Sequence, residues 1–276
     1  MSLIKKVIFI ADIHIRNYKR LDEYKIQLKK VINECENIAN EYGSEHVRIV
    51  ILGDLLHNKL DISGEGYVVA SQFLKSLDKI CKTIVISGNH DMNMANLSRL
   101  DPLSTIFNMC EFTQTYFLDS ETNYESGCVV DENVVWTLYS AFDSFSKPNI
   151  VESRIENEDK VFIGLFHGEI KSTKTDAGYV LENGFDVSHF DGVDICMCGH
   201  IHKRQKLTYQ GISIVYVGSL IQQDHGENIS GHGYVVLDVD SLTYTEHNIP
   251  NDSVFYTFTI NSIDDIENNT EELINF

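Results

Sequence analysis

The sequence predicts an α/β protein, a four-layer α/β/β/α sandwich of two mixed sheets flanked by helices. Three observations predict it. Short β-branched runs alternate with amphipathic helical stretches through the first third, the βαβαβ pattern of a parallel sheet with crossover helices. Later strand-like runs joined by short turns imply a second, more antiparallel sheet facing the first. Five polar clusters each follow a strand-like run, where open α/β sheets build their sites.

The elements follow in order. Lys5 to Ile10 reads as the first strand. Leu21, Tyr24, Leu28, Val31, Ile32, Cys35, Ile38 and Tyr42 keep helical spacing, and Gly43 ends that helix. Val47 to Leu52 is the second strand. Val68, Val69, Phe73, Leu74, Leu77 and Ile80 mark the second helix, and Thr83 to Ser87 the third strand. Short β-rich pieces follow at Phe112 to Leu118, Gly127 to Val130 and Val134 to Tyr139. Pro148 to Asp159 is polar and acidic, an exposed helix or loop. Strands resume at Val161 to Phe166, Val193 to Cys198, Ile212 to Val217 and Tyr234 to Val239. Residues 1–249 therefore read as one domain. Residues 250–276 form a tail with six acids and no Lys or Arg, read as a strand (Val254 to Ile260), a short helix (Ser262 to Leu273) and the start of an accessory domain.

Composition sets limits on function. No apolar run approaches the ~20 residues of a membrane span, and Val7 to Ala11 is shorter than the ~7–15-residue core of a signal peptide. A cytoplasmic or nucleoid-associated protein is expected, neither secreted nor membrane-bound. The formal charge of -19 argues against gripping nucleic acid by bulk charge. Yet ten of the 22 basic residues sit just after the polar clusters, among them Arg16, Lys171, Lys203 and Arg204, so a positive rim on an acidic body is expected. The six cysteines mostly lie in apolar runs and read as reduced thiols. Cys196 and Cys198 lack both zinc spacing and a second pair.

The clusters are Asp12-Ile13-His14, Gly53-Asp54-Leu55-Leu56-His57, Gly88-Asn89-His90-Asp91, His167-Gly168 and Gly199-His200-Ile201-His202. Asp12 and His14 are two apart, as are His200 and His202; in extended backbone that spacing points both side chains one way. Asp12, His14, Asp54, Asn89, His167, His200 and His202 offer seven oxygen and nitrogen donors and no sulfur. The set suits divalent manganese, iron or zinc. Seven donors are too many for one tetrahedral ion and suit two ions sharing a carboxylate. Each cluster alone could be a satisfied core or surface group; five in series, each after a strand, point to a site.

The order Asp-x-His, Gly-Asp, Gly-Asn-His, His, Gly-His-x-His resembles the calcineurin-like metallophosphoesterases over about residues 7 to 240. Within them the chain is most similar to the SbcD-type nuclease subunit of DNA double-strand-break repair complexes. Asp12-Ile-His-Ile-Arg16, Gly53-Asp-Leu-Leu-His57 and Gly218-Ser219-Leu220-Ile221-Gln222 carry that resemblance.

The resemblance implies that Asp12, His14, Asp54 and His202 hold one metal. Asp54, Asn89, His167 and His200 would hold the other, with Asp54 bridging. It makes His90 a non-ligand that contacts the phosphoryl oxygen or protonates the leaving oxygen. His57 would support His90 or touch substrate; a purely structural His57 is the competing reading. Asp91 would orient His90 or cap a turn. Lys203 and Arg204 stand close enough in sequence to meet DNA phosphate. Two divalent ions, manganese foremost, a DNA substrate, an SbcC-like ATPase partner and a homodimer are the further implications. A phosphatase or small-molecule phosphodiesterase on the same scaffold is the rival, and a non-catalytic protein-binding scaffold the second.

Overall fold

The computed structural model describes residues 3–59, 61–93, 96, 99–256 and 260. Its elements are β1 (Lys6–Ile10), α1 (Leu21–Tyr42), β2 (Val47–Leu52), α2 (Gly64–Asp78), β3 (Thr83–Ile86), α3 (Pro102–Met109), β4 (Thr115–Phe117), α4 (Leu118–Glu121), β5 (Gly127–Asp131), β6 (Val134–Tyr139), α5 (Ile150–Glu156), β7 (Val161–His167), β8 (Ile195–Gly199), β9 (Gln205–Tyr209), β10 (Ile212–Tyr216), β11 (Gly233–Asp238) and β12 (Thr243–Asn248). Local chemistry sets the helix ends. Ser63 caps α2 by accepting from the Gly66 amide, and Asp101 caps α3 ahead of Pro102. Gly43, at φ 88°, closes α1 through its amide to Ala39 O.

Two six-stranded mixed sheets result, ordered β12-β11-β1-β2-β3-β4 and β5-β6-β7-β8-β10-β9. Strands β1, β2, β3 and β11 of the first sheet divide their apolar residues by parity. Val7, Phe9, Val50, Leu52, Ile84 and Ile86 face the second sheet's Trp136, Leu138, Ile163, Leu165, Ile195 and Met197. Ile8, Ile10, Ile49, Ile51 and Val85 face α1 and α2. The fourth layer is thin: α5 and a short turn at Val187–Phe190 cover Phe162, Phe166 and Cys196.

Three expectations need correction. The second sheet is mostly parallel: β6, β7, β8 and β10 run the same way, with antiparallel pairing at the edges β5–β6 and β9–β10. The β6–β7 and β7–β8 connections are crossovers long enough to hold α5 and residues 168–194, not tight turns. Tyr234 to Val239 also belongs elsewhere, because β11 lies antiparallel to β1 in the first sheet. The six cysteines are free, four of them buried. Of the expected tail strand, residues 254–256 are not in strand conformation, and 257–259 and the helix at 262–273 lie outside the described residues. Asn251 bonds Gln27 and Glu23 of α1, and Phe255 bonds Gln222, so this stretch packs on the body.

One ion-pair group ties the sheets together away from the site. Arg48 on β2 donates to both oxygens of Asp131 on β5 at 2.8 and 3.2 Å, and Lys82 Nζ and Trp136 Nε1 reach the same carboxylate at 3.0 and 3.2 Å. Asp131 and Arg48 are buried, and burial, outweighed by the two cations, leaves the Asp131 carboxyl below its usual range. Removing one partner strands a buried charge. Asp131→Ala is expected to lower unfolding free energy by about 3–5 kcal/mol in urea denaturation; a loss under 1 kcal/mol would show that water reaches the pair.

Candidate metal centre

All five clusters lie at the carboxyl ends of parallel strands: β1, β2 and β3 from the first sheet, β7 and β8 from the second. The chain turns there by left-handed backbone, not by continuing the pleat. Asp12, His14, Asp54 and His200 have φ of 50°, 52°, 51° and 90°, a conformation costly for non-glycine residues and concentrated at functional sites. The two-residue spacing of Asp12 and His14 thus works through turns, not extended strand. Gly88 acts through close approach: a Cβ there would fall onto Asp54 Oδ1. A Cβ on Gly199 would stand 2.7 Å from His167 Nδ1.

The turns bring all seven predicted donors together. Asp12, His14 and His202 converge in one group, and Asp54, His167 and His200 in another. Asn89 Oδ1 joins the second, 3.2 Å from His167 Nε2 and 2.7 Å from His200 Nδ1. Asp54 Oδ2 lies between the groups, 3.5 Å from His14 Nε2 and 3.2 Å from His167 Nε2. His14 Nε2 and His202 Nε2 face each other at 3.0 Å. Nitrogen lone pairs and carboxylate oxygens crowded this closely are suited to hold cations. The donor set matches borderline divalent ions.

The calcineurin-like phosphoesterase superfamily domain matches residues 6–242. The chain belongs to that superfamily. It is 36% identical over 238 residues to protein R555 of Acanthamoeba polyphaga mimivirus, a match covering 83% of this chain and 17% of that much longer protein. It is 26% identical over 236 residues to phosphoesterase 244L of Invertebrate iridescent virus 6, covering 81% and 72%. Among solved structures, an archaeal phosphodiesterase is similar at 14% identity and TM-score 0.39, covering 87% of this chain and 97% of that one. The anchor protein GAP50 of Plasmodium is similar at 12% identity and TM-score 0.48, covering 90% of each.

Membership in the superfamily implies divalent metal ions, and the outer nitrogens of His167 and His202 are held accordingly. His167 Nδ1 donates to Leu52 O at 2.7 Å, and His202 Nδ1 donates to Glu227 at 2.5 Å. His200 Nε2 stands 3.7 Å from Glu169, and the His200 amide donates to both Asp12 oxygens at 3.0 Å. Such outer partners fix the tautomer that presents the other nitrogen to a metal. Glu227 was not legible in the sequence; it sits on a loop with no motif of its own.

Outside the donor set, Asp91 is a turn cap. It is buried and accepts from the amides of Leu55, Leu56 and Gly88. His57 sends its carbonyl to His90 Nδ1 at 2.7 Å, while its ring stacks on His90 and its Nδ1 lies 3.4 Å from His14 Nδ1. Arg204 is bound to the Val217 and His247 carbonyls and to Asn248. Its guanidinium is committed to structure rather than turned to a substrate. His46, His189 and His232 bond backbone carbonyls, His225 packs on Phe255, and His247 stacks on Tyr234.

Buried carboxylates and imidazoles divide the charge. Burial raises the Asp12 carboxyl to about 6, with His167 and His202 opposing. Burial also acts on Asp54, but His167 and His14 hold it well below the carboxylate range. Burial would lower His167, yet Asp54 and Asp12 lift it to about 10; Glu227 similarly lifts His202 to about 9. Burial lowers His200 to about 4 and holds His14 well below its usual value. Protons on His167 and His202 thus meet the demand of the carboxylates for positive charge, and a bound cation must displace them. Since both imidazoles stay protonated up to about pH 9–10, affinity for Mn²⁺ should rise between pH 6.5 and 8.5. Calorimetric titrations in buffers of different ionisation enthalpy should show protons released on binding. A pH-independent affinity without proton release contradicts the assignment.

Proposed function

We propose that this chain is a dinuclear metal-dependent phosphodiesterase that hydrolyses DNA, as an exonuclease and single-strand endonuclease. One observation carries the reading: a single oxygen of Asp54 lies within 3.5 Å of a ligand nitrogen in each donor group. Asp12, His14, Asp54 and His202 would hold one ion. Asp54, Asn89, His167 and His200 would hold the other, with manganese as the proposed metal. When bound, two such ions would supply Lewis acidity at the phosphoryl group and lower the pKa of water.

The chain's own residues do the remaining work. The His90 amide donates to Asp54 Oδ1 at 2.8 Å, so the residue that orients the shared carboxylate also carries the proposed acid. Its Nδ1 is committed to the His57 carbonyl, which leaves Nε2 to protonate the leaving oxygen. His57 acts as a positioning residue, with its carbonyl on His90 and its ring against His14. A histidine three residues after the shared aspartate is what the resemblance to SbcD-type nucleases rests on, and DNA is proposed as substrate on that ground. An SbcC-like ATPase subunit and a second copy of the chain are the proposed partners.

One observation favours a second reading, a small-molecule phosphoesterase. A cavity of about 250 Å³ beside His200 and His202 is lined by Asp176, Asp224 and Glu227 with Lys203 as its basic residue. Such a lining repels a polyanion.

A Mn²⁺-supported assay on single-stranded DNA and on a chromogenic phosphomonoester separates the two. DNA should be cleaved faster, EDTA should abolish cleavage, and His90→Ala should reduce kcat by about 10²-fold or more with metal content unchanged. Chelator-insensitive cleavage, or full activity in the variant, contradicts the proposal. A protein that holds two ions and turns over neither substrate supports a non-catalytic scaffold.

A further inference from the structure

The arginines of this chain find different partners. Arg20, Arg48 and Arg154 face carboxylates at 2.6 to 2.8 Å, and Arg204 is bound to carbonyls. Arg16 faces an imidazole. Its Nη1 donates to His57 Nε2 at 3.2 Å, and its Nη2 reaches Gln223 O and Oε1 at 3.4 and 3.5 Å. Its Nε is buried with no hydrogen-bond partner, although the Tyr24 hydroxyl lies beside the guanidinium. Among the described residues the arginine–carboxylate ion pairs belong to Arg20, Arg48 and Arg154.

A guanidinium carries five donors in a fixed fork, and leaving one buried and unpaired is costly. Contacts of 3.4–3.5 Å are marginal hydrogen bonds. The group is therefore poised for a bidentate anion. It is also tied to the site. His57, which it touches, stacks on His90 at 5.1 Å between centroids and meets His14 edge-on at 5.3 Å. Arg16 thus stands one imidazole ring out from His14 of the donor groups.

We infer that Arg16 binds the phosphate adjacent to the scissile one and so selects polynucleotides over single phosphodiesters. This rests on the nuclease reading above and deepens it. It supplies a local positive contact on a chain of net charge -19, beside a cavity whose lining holds Asp176, Asp224 and Glu227 against Lys203. Substrate phosphate would take up donors that the guanidinium leaves weakly used and displace the Gln223 contacts.

The test compares wild type, Arg16→Ala and Arg16→Lys with Mn²⁺ on a single-stranded oligonucleotide and on bis(p-nitrophenyl) phosphate, which has no neighbouring phosphate. Arg16→Ala should raise KM for the oligonucleotide about tenfold more than for the small diester, with Arg16→Lys intermediate because it keeps charge and loses the fork. Fluorescence anisotropy of the same oligonucleotide with Ca²⁺ should show weaker binding, and a salt slope smaller by about 0.7 for one lost contact. Equal losses on both substrates would place Arg16 on the scissile phosphoryl group or on His57 and overturn the inference, as would no loss on either. A wild type that hydrolyses the small diester but neither binds nor cleaves the oligonucleotide overturns the nuclease reading itself and this inference with it.

Discussion

A carboxylate shut away from water among imidazoles is the constraint on which this structure depends. Asp54 is 1% exposed, and an isolated charge there would be prohibitive. It is tolerated because the His90 amide, His14 and His167 surround it, and because cations can sit beside it. The left-handed turns at Asp12, His14 and Asp54 and the missing Cβ at Gly88 follow from this need. Each gives up local conformational ease so that donors can approach one point.

The site also couples the two sheets. Asp12, Asp54 and Asn89 follow strands of the first sheet, while His167 ends β7 and His200 follows β8 in the second. Apolar packing between Val50, Leu52, Trp136 and Leu165 brings the sheets together, and Arg48 with Asp131 fixes them away from the site. The ends that carry the donors are therefore placed by a core that is independent of metal. A rigid frame of this kind keeps the first contacts within the tolerance that catalysis demands.

The candidate site was more legible in the sequence than the fold around it. Asp12, His14, Asp54, Asn89, His167, His200 and His202 stand in short clusters after apolar runs, so position and residue type alone picked them out, and the structure brings them together. The reasons were less legible. Asp12 and His14 converge through left-handed turns rather than along a pleat, and backbone strain leaves no mark on residue spacing. Gly88 leaves room for Asp54, a close approach that residue type alone does not reveal. Glu227 and the Leu52 carbonyl, which steady His202 and His167, come from distant segments and could not be seen at all. In the fold, strand existence was clear and partnership was not. β11 and β10 read alike as apolar runs, yet one pairs with β1 and the other with β8. Short elements such as α3 and β9 were hidden because their burial is set by neighbours rather than by period.

Anomalous scattering from crystals grown with Mn²⁺ tests the central claim most directly. The account predicts two ions per chain sharing Asp54 and separated by ~3.5–4 Å, one contacted by Asp12, His14 and His202 and the other by Asn89, His167 and His200. A single ion, or a pair of ions that Asp54 does not bridge, would contradict it.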